Sequence, residues 1–123
     1  MTRTHQKVSA APAGERPEHT PLSAANGIER ALKTIEGRWK LLILFHLFGG
    51  QVRRFSELER ALDGISQKML AQQLRSLEAD GMVVRTVYNE VPPKVEYRLT
   101  AWGQSLCPAL DALLEWDERR ERP

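Results

Sequence analysis

A single cysteine, Cys107, excludes an internal disulfide, and with it a disulfide-stapled scaffold. This usage suggests a reducing, cytoplasmic compartment. An excess of one charge is missing too: 18 Lys and Arg face 16 Asp and Glu, a formal net charge of +2. A highly basic, histone-like binder is therefore excluded. The longest apolar run, residues 41–48, is interrupted by His46 and is too short to cross a bilayer. No apolar stretch of signal-peptide length stands at the N-terminus, so the expected product is soluble and unexported, with no membrane partner. His5 and His19 are isolated, and His46 has no second histidine or cysteine at metal spacing. Neither a nucleophile elbow nor a phosphate-cradling glycine loop occurs. Catalytic residues, metals and cofactors are accordingly not expected. The 123 residues exclude two large domains and leave room for one modest core, to which a dimer interface would add.

What is there begins with a contrast. Residues 1–25 hold Pro12, Pro17 and Pro21, several small residues and little that builds a core. Their composition reads as a disordered tail, with a flexible arm touching DNA or a partner as the other reading. The expected folded domain is 26–119, followed by a short tail at 120–123. Within it, Ile28, Ala31, Leu32 and Ile35 have the three-and-four spacing of a helix over 28–35 that ends at Gly37. Residues 39–48 are apolar on most faces and predict a central buried helix, stopped by Gly49 and Gly50. Arg53-Arg54-Phe55 reads as a short extended link. Ser56 and Glu59 then have the spacing of a capping box for a helix over 56–62. After the Asp63-Gly64 turn, Ser66 is placed to cap a second helix running to Asp80.

Two β-like segments follow. Residues 82–88 are rich in valine, and residues 95–99 alternate apolar and charged side chains. Between them, Pro92 and Pro93 stiffen the loop 89–94. Thr100 is placed to cap a last helix reaching Arg119, with Pro108 bending it. The expected architecture is mainly α with a small β-hairpin, a winged helix-turn-helix.

The helix at 66–80 carries two stripes. With Gln67 at 0° and about 100° per residue, Leu70, Leu74 and Leu77 fall at about 300°, 340° and 280°. Gln67, Ala71, Arg75, Lys68 and Gln72 fall at about 0°, 40°, 80°, 100° and 140°. The second stripe is polar and reads as free of acids. Glutamine pairs with adenine, and arginine or lysine with guanine, in a major groove; Ala71 allows close approach. Gln67, Lys68, Ala71, Gln72 and Arg75 are thus the candidate base-reading residues. The ordinary alternative is a solvated helix face. Arg53, Arg54, Ser56, Ser66, Arg85 and Lys94 surround this helix in sequence and are candidate backbone-contacting residues. Helix 66–80 is expected in the major groove and the wing 89–94 at the DNA backbone or minor groove; Glu90 on the wing repels phosphate, which leaves Lys94 and the main chain as the wing's expected contacts.

Ile28-Glu29-Arg30-Ala31-Leu32 and Gly37-Arg38-Trp39-Lys40-Leu41-Leu42-Ile43-Leu44 together resemble the opening of the HxlR family of bacterial winged-helix regulators. So do Arg54-Phe55-Ser56-Glu57-Leu58, Gly64-Ile65-Ser66-Gln67-Lys68-Met69-Leu70 and Leu74-Arg75-Ser76-Leu77-Glu78-Ala79-Asp80-Gly81. Val91-Pro92-Pro93-Lys94-Val95-Glu96-Tyr97 continues the match, and Leu99-Thr100-Ala101-Trp102-Gly103 fits it less closely. The resemblance covers residues 27–118. It implies a MarR-like homodimer, joined through its first and last helices, that represses or activates transcription from the bacterial cytoplasm and nucleoid. Ile28, Leu32, Leu106, Leu110, Leu113 and Trp116 are the implied dimer-interface residues. Several members carry a redox-sensing Cys-Pro pair just before the first helix; Asn26-Gly27 stands in that stretch here. Cys107 remains as a small apolar residue or, on a sharper reading, a redox switch. The implied partners are a palindromic double-stranded DNA operator, a second copy of the chain and, left open, a small-molecule effector at the dimer interface. Trp102 and Trp116 are candidates to line such a pocket. A winged-helix protein-interaction module and a non-specific architectural DNA binder are the alternatives.

Overall fold

A computed structural model of the chain describes residues 18–121. Most of the expected N-terminal tail, residues 1–17, lies outside the described residues, as do residues 122–123. The chain divides into two compact units, one ending at Glu36 and the other beginning at Gly37.

The first unit contains one described helix, α1 (Pro21–Thr34). It starts well before residue 28 and takes in residues 21–25, which the composition had assigned to the tail. The reason is local. The Ser23 N–H donates to Thr20 Oγ1 at 3.1 Å, and the Thr20 N–H donates to Ser23 Oγ at 3.0 Å. This reciprocal box satisfies two donors that the first turn leaves orphaned. Pro21 stands in the first turn, where its missing N–H costs nothing. Asn26-Gly27 therefore lies inside a helix and not ahead of one. No residue of α1 is buried.

The second unit opens with α2 (Arg38–Leu47). Ile43, Leu44 and Leu47 are buried, whereas Phe45 is exposed. The helix is thus sunk along one side and not all round. Gly49 and Gly50 end it with φ of 81° and 75°, a region closed to most side chains. The Gly49 N–H donates to Gln104 Oε1 at 3.1 Å.

The Arg53-Arg54 link is a strand, β1 (Arg53–Arg54), and leads directly into α3 (Phe55–Ala61). The cap of α3 differs from the one expected. Arg54, the last strand residue, occupies the N-cap, and its N–H donates to Glu57 Oε1 at 2.7 Å. The helix begins one residue before Ser56, so Ser56 and Glu59 do not form the box. A turn leads to α4 (Gln67–Ala79), then β2 (Val83–Tyr88) and β3 (Lys94–Leu99). The sheet is antiparallel with order β1-β3-β2. Val83 pairs with Leu99 and Tyr88 with Lys94, while Arg53 pairs with Tyr97. The expected hairpin is there, with a third strand added on the free side of β3.

The last helix is two helices, α5 (Ala101–Gln104) and α6 (Cys107–Glu118). Thr100 caps only the first, accepting from the Gly103 N–H at 2.9 Å. Its hydroxyl donates to the Gly81 carbonyl at 2.7 Å. Pro108 lies in the first turn of α6, where it fits, and does not bend a continuous helix. The core of this unit joins α2 to Leu58, Leu62, Leu70, Leu74, Leu77, Met82, Val83, Tyr97 and Leu110. Among the described residues no helix is long and apolar enough to cross a membrane.

Candidate nucleic-acid interface

Helix α4 is fixed at its first turn and from behind. Ser66 Oγ accepts from the Met69 N–H at 3.0 Å, which ties off the first turn. Leu70, Leu74 and Leu77 are all buried. Burying three leucines contributes several kcal/mol, roughly 1.5–3 each, and sets the rotation of the helix about its axis. That rotation turns Gln67, Lys68, Gln72 and Arg75 outward, where all four are exposed; Ala71 is half-buried between them.

The outward face is not wholly free of acids. Glu78 falls about 20° from Gln67 on the same helical projection and is exposed. The residues from Gln67 to Arg75 carry no carboxylate, and Glu78 closes the face one turn later. Ala71, Arg75 and Glu78 of α4 line a shallow hollow with Arg85 of β2 and Tyr97 of β3. Two guanidinium groups thus border one depression with a carboxylate beside them.

The candidate backbone contacts separate into free and engaged groups. Arg54, Ser56 and Arg85 are exposed. The Ser66 hydroxyl is occupied as the α4 cap. Arg53 is half-buried and donates from Nε to the His46 carbonyl at 3.4 Å. Lys94 is half-buried; its Nζ lies 3.8 Å from Glu96 Oε2 and 4.5 Å from the centre of the Tyr88 ring. Arg98, on the same strand, donates to Thr86 Oγ1 at 3.1 Å. Glu78, Glu96 and Tyr88 were not among the candidates drawn from sequence. The helical projection already placed Glu78, but the partners of Lys94 needed the strand register.

Other candidates resolve by position. On α1, Ile28 and Leu32 are 61% and 50% exposed. On α6, Leu113 and Trp116 are 50% and 63% exposed. Leu110 is different: it is buried within its own chain, and Leu106 is half-buried. Leu110 therefore serves the core and is not open to a second copy. Trp102 is exposed. Cys107 is half-buried, with Sγ 3.9 Å from Asp111 Oδ2 one turn along α6. Among the described residues no group of three or more His, Cys, Asp or Glu is placed to hold a metal.

Comparison with known proteins places this arrangement. Residues 34–123 match the family model described as HxlR-like helix-turn-helix. Over 89 residues the chain is 55% identical to the uncharacterized HTH-type transcriptional regulator YtcD of Bacillus subtilis, covering 72% of this chain and 70% of YtcD. A regulator of Enterococcus faecalis V583 assigned to the MarR family superposes with a TM-score of 0.74 at 44% identity, over 88% of this chain and 92% of that one. The redox regulator HypR in its reduced form superposes with a TM-score of 0.69 at 47% identity, over 75% and 90% of the two chains.

Proposed function

Because the chain belongs to the HxlR-like helix-turn-helix family of DNA-binding transcriptional regulators, we propose that it reads a palindromic operator as a homodimer, laying α4 of each copy in the major groove. The observation that carries this reading is the side-by-side exposure of Gln67, Lys68, Gln72 and Arg75, opposite the buried Leu70, Leu74 and Leu77. Amide and guanidinium groups at these positions match the donor and acceptor pattern of base edges. Of the candidate backbone-contacting residues, Arg54, Ser56 and Arg85 are exposed and not engaged elsewhere, and they supply phosphate contacts that set register.

The exposed apolar side chains of α1 and, separately, those of α6 are the surfaces a second copy covers: Ile28 and Leu32 on one, Leu113 and Trp116 on the other. Apolar side chains left open in such number fit an interface better than a solvated face. Two copies of α4 then meet successive major grooves with half-site centres roughly 34 Å apart. With a net charge of only +2, affinity depends on the local basic surface around α4. Binding accordingly weakens steeply with salt as phosphate contacts release counterions.

Selection of bound sequences from a random duplex pool tests the reading. The expected product is an inverted repeat with one helical turn between half-sites. Arg75→Ala is expected to cost about 1–3 kcal/mol on that operator and to relax preference at one base pair. Equal affinity for random duplex and the selected pool, or wild-type operator affinity in Arg75→Ala, overturns it.

A further inference from the structure

On the reading of α4 given above, we propose that the hollow between α4 and the sheet binds a small amphoteric molecule of the α-amino acid class, and that its occupancy withdraws Arg75 from DNA. Ala71, Arg75 and Glu78 are spaced by four and three residues along α4, so they form one line on the helix. Arg85 and Tyr97 are cross-strand partners on β2 and β3, so their side chains leave the same face of the sheet. Together these walls border a space of about 380 Å³, within the range of small-molecule sites. Charges of both signs line it and do not close on each other. Among the described residues the ion pairs are Lys94 with Glu96 and Arg120 with Asp117. Neither Arg75 nor Arg85 is paired with a carboxylate there, that of Glu78 included.

The chemistry of the lining selects the ligand. A guanidinium presents a planar fork of donors that a carboxylate accepts, and two such groups border this hollow. Glu78 accepts from an ammonium and repels a second carboxylate. A molecule with an anionic and a cationic group on one carbon bridges the unclosed charges. A plain anion or a plain amine leaves one side opposed. Between the charged groups, Ala71 and the Tyr97 ring supply apolar surface, and Tyr97 is held by the core at 7% exposure. An aromatic body on the ligand packs against that surface. Arg75, Glu78 and Arg85 are exposed, so affinity is modest, with Kd on the order of 0.1–1 mM. A guanidinium engaged by the ligand's carboxylate is not available to a base edge. Ligand and operator therefore compete for Arg75, and each weakens the other by the same factor.

The test uses the full chain and three probes: L-phenylalanine, 3-phenylpropionate, which lacks the ammonium, and phenethylamine, which lacks the carboxylate. Titrations followed by NMR without DNA measure direct binding. L-phenylalanine is expected to bind, and each analogue to bind roughly tenfold more weakly, the scale of one lost charged hydrogen bond. Glu78→Gln is expected to erase the preference for L-phenylalanine over 3-phenylpropionate. Arg85→Ala is expected to weaken both roughly tenfold. Both positions are exposed, so neither change touches the core. Anisotropy on the selected operator then measures competition. At ten times its Kd, L-phenylalanine is expected to lower operator affinity roughly tenfold per copy; as a zwitterion it adds no screening salt. No binding, or binding untouched by both variants, overturns the site whatever the chain does on DNA. Equal binding of 3-phenylpropionate to wild type overturns the amphoteric class. Binding that leaves operator affinity unchanged overturns the competition at Arg75. If Arg75→Ala holds the operator like wild type while L-phenylalanine still binds and depends on Arg85, the major-groove reading falls and the ligand site stands.

Discussion

Glu78 shares a hollow with Arg75 and Arg85, and this juxtaposition carries a cost for DNA binding. A carboxylate near the reading face repels phosphate from every sequence alike, and it competes with DNA for the two guanidinium groups. Glu78→Gln keeps the shape and removes the charge. It is expected to strengthen binding to operator and random duplex together by about 0.5–1 kcal/mol, the scale of an exposed charge interaction. The ratio between the two duplexes should not improve. Fluorescence anisotropy on both would check this, and unchanged affinity for either would place Glu78 beyond reach of the duplex. Single residues on a helix are the most legible part of the candidate site. Lys68, Gln72 and Arg75 follow from angular position alone, and so does Glu78 once the projection is carried to the end of the helix. Lys94 shows the opposite case. Its charge is visible in the sequence, but its engagement with Tyr88 and Glu96 follows from strand register, which the stiff five-residue loop sets.

At the level of elements, the errors lie at ends and joins. Helices α2 and α4 have bounds close to the expected ones: Gly49 and Gly50 stop the first, and the buried Leu70, Leu74 and Leu77 recur at helical spacing along the second. The start of α1 was missed because its box uses Ser23, not the usual Glu or Gln, to answer Thr20. The cap of α3 was misplaced because it depends on β1, and β1 exists only through its non-local pairing with β3. The break between α5 and α6 has a similar origin: α5 is held where Gly103 lies on the Met82 backbone. A Cβ at position 103 would collide with the Met82 carbonyl oxygen. Thr100 locks the same place through the Gly81 carbonyl. Gly103→Ala therefore opposes two effects. Helix propensity favours alanine by about 1 kcal/mol, whereas backbone overpacking costs about 1–3 kcal/mol. A Met82 main-chain obstacle cannot swing aside, so the sum is expected to be a net loss of stability. Urea unfolding should show a lower midpoint at equal slope; a raised midpoint would mean that α5 does not sit tightly on Met82.

For the whole molecule, the apolar face of α6 is legible as apolar but not as divided. Periodicity puts Leu110 and Leu113 in one class, yet the first is buried at home and the second is 50% exposed. Only the packed chain separates them. Leu113→Glu places a charge in the proposed dimer surface without entering the core. Sedimentation is expected to show a shift from dimer toward monomer, and operator binding should fall steeply because two half-sites no longer act through one linked pair. A Leu113→Glu protein that remains fully dimeric would move the interface away from α6.

The two-residue strand ahead of α3 has a mechanical consequence. Arg53 and Arg54 are laced to Tyr97 and Glu96, on the strand that returns from the wing. The helix-turn-helix and the wing are thereby riveted together, and neither can swing without tearing the sheet. In the proposed dimer, the unit that begins at Gly37 then acts as one jaw of a caliper: the spacing between two such jaws is free to be reset, while each jaw stays unbent.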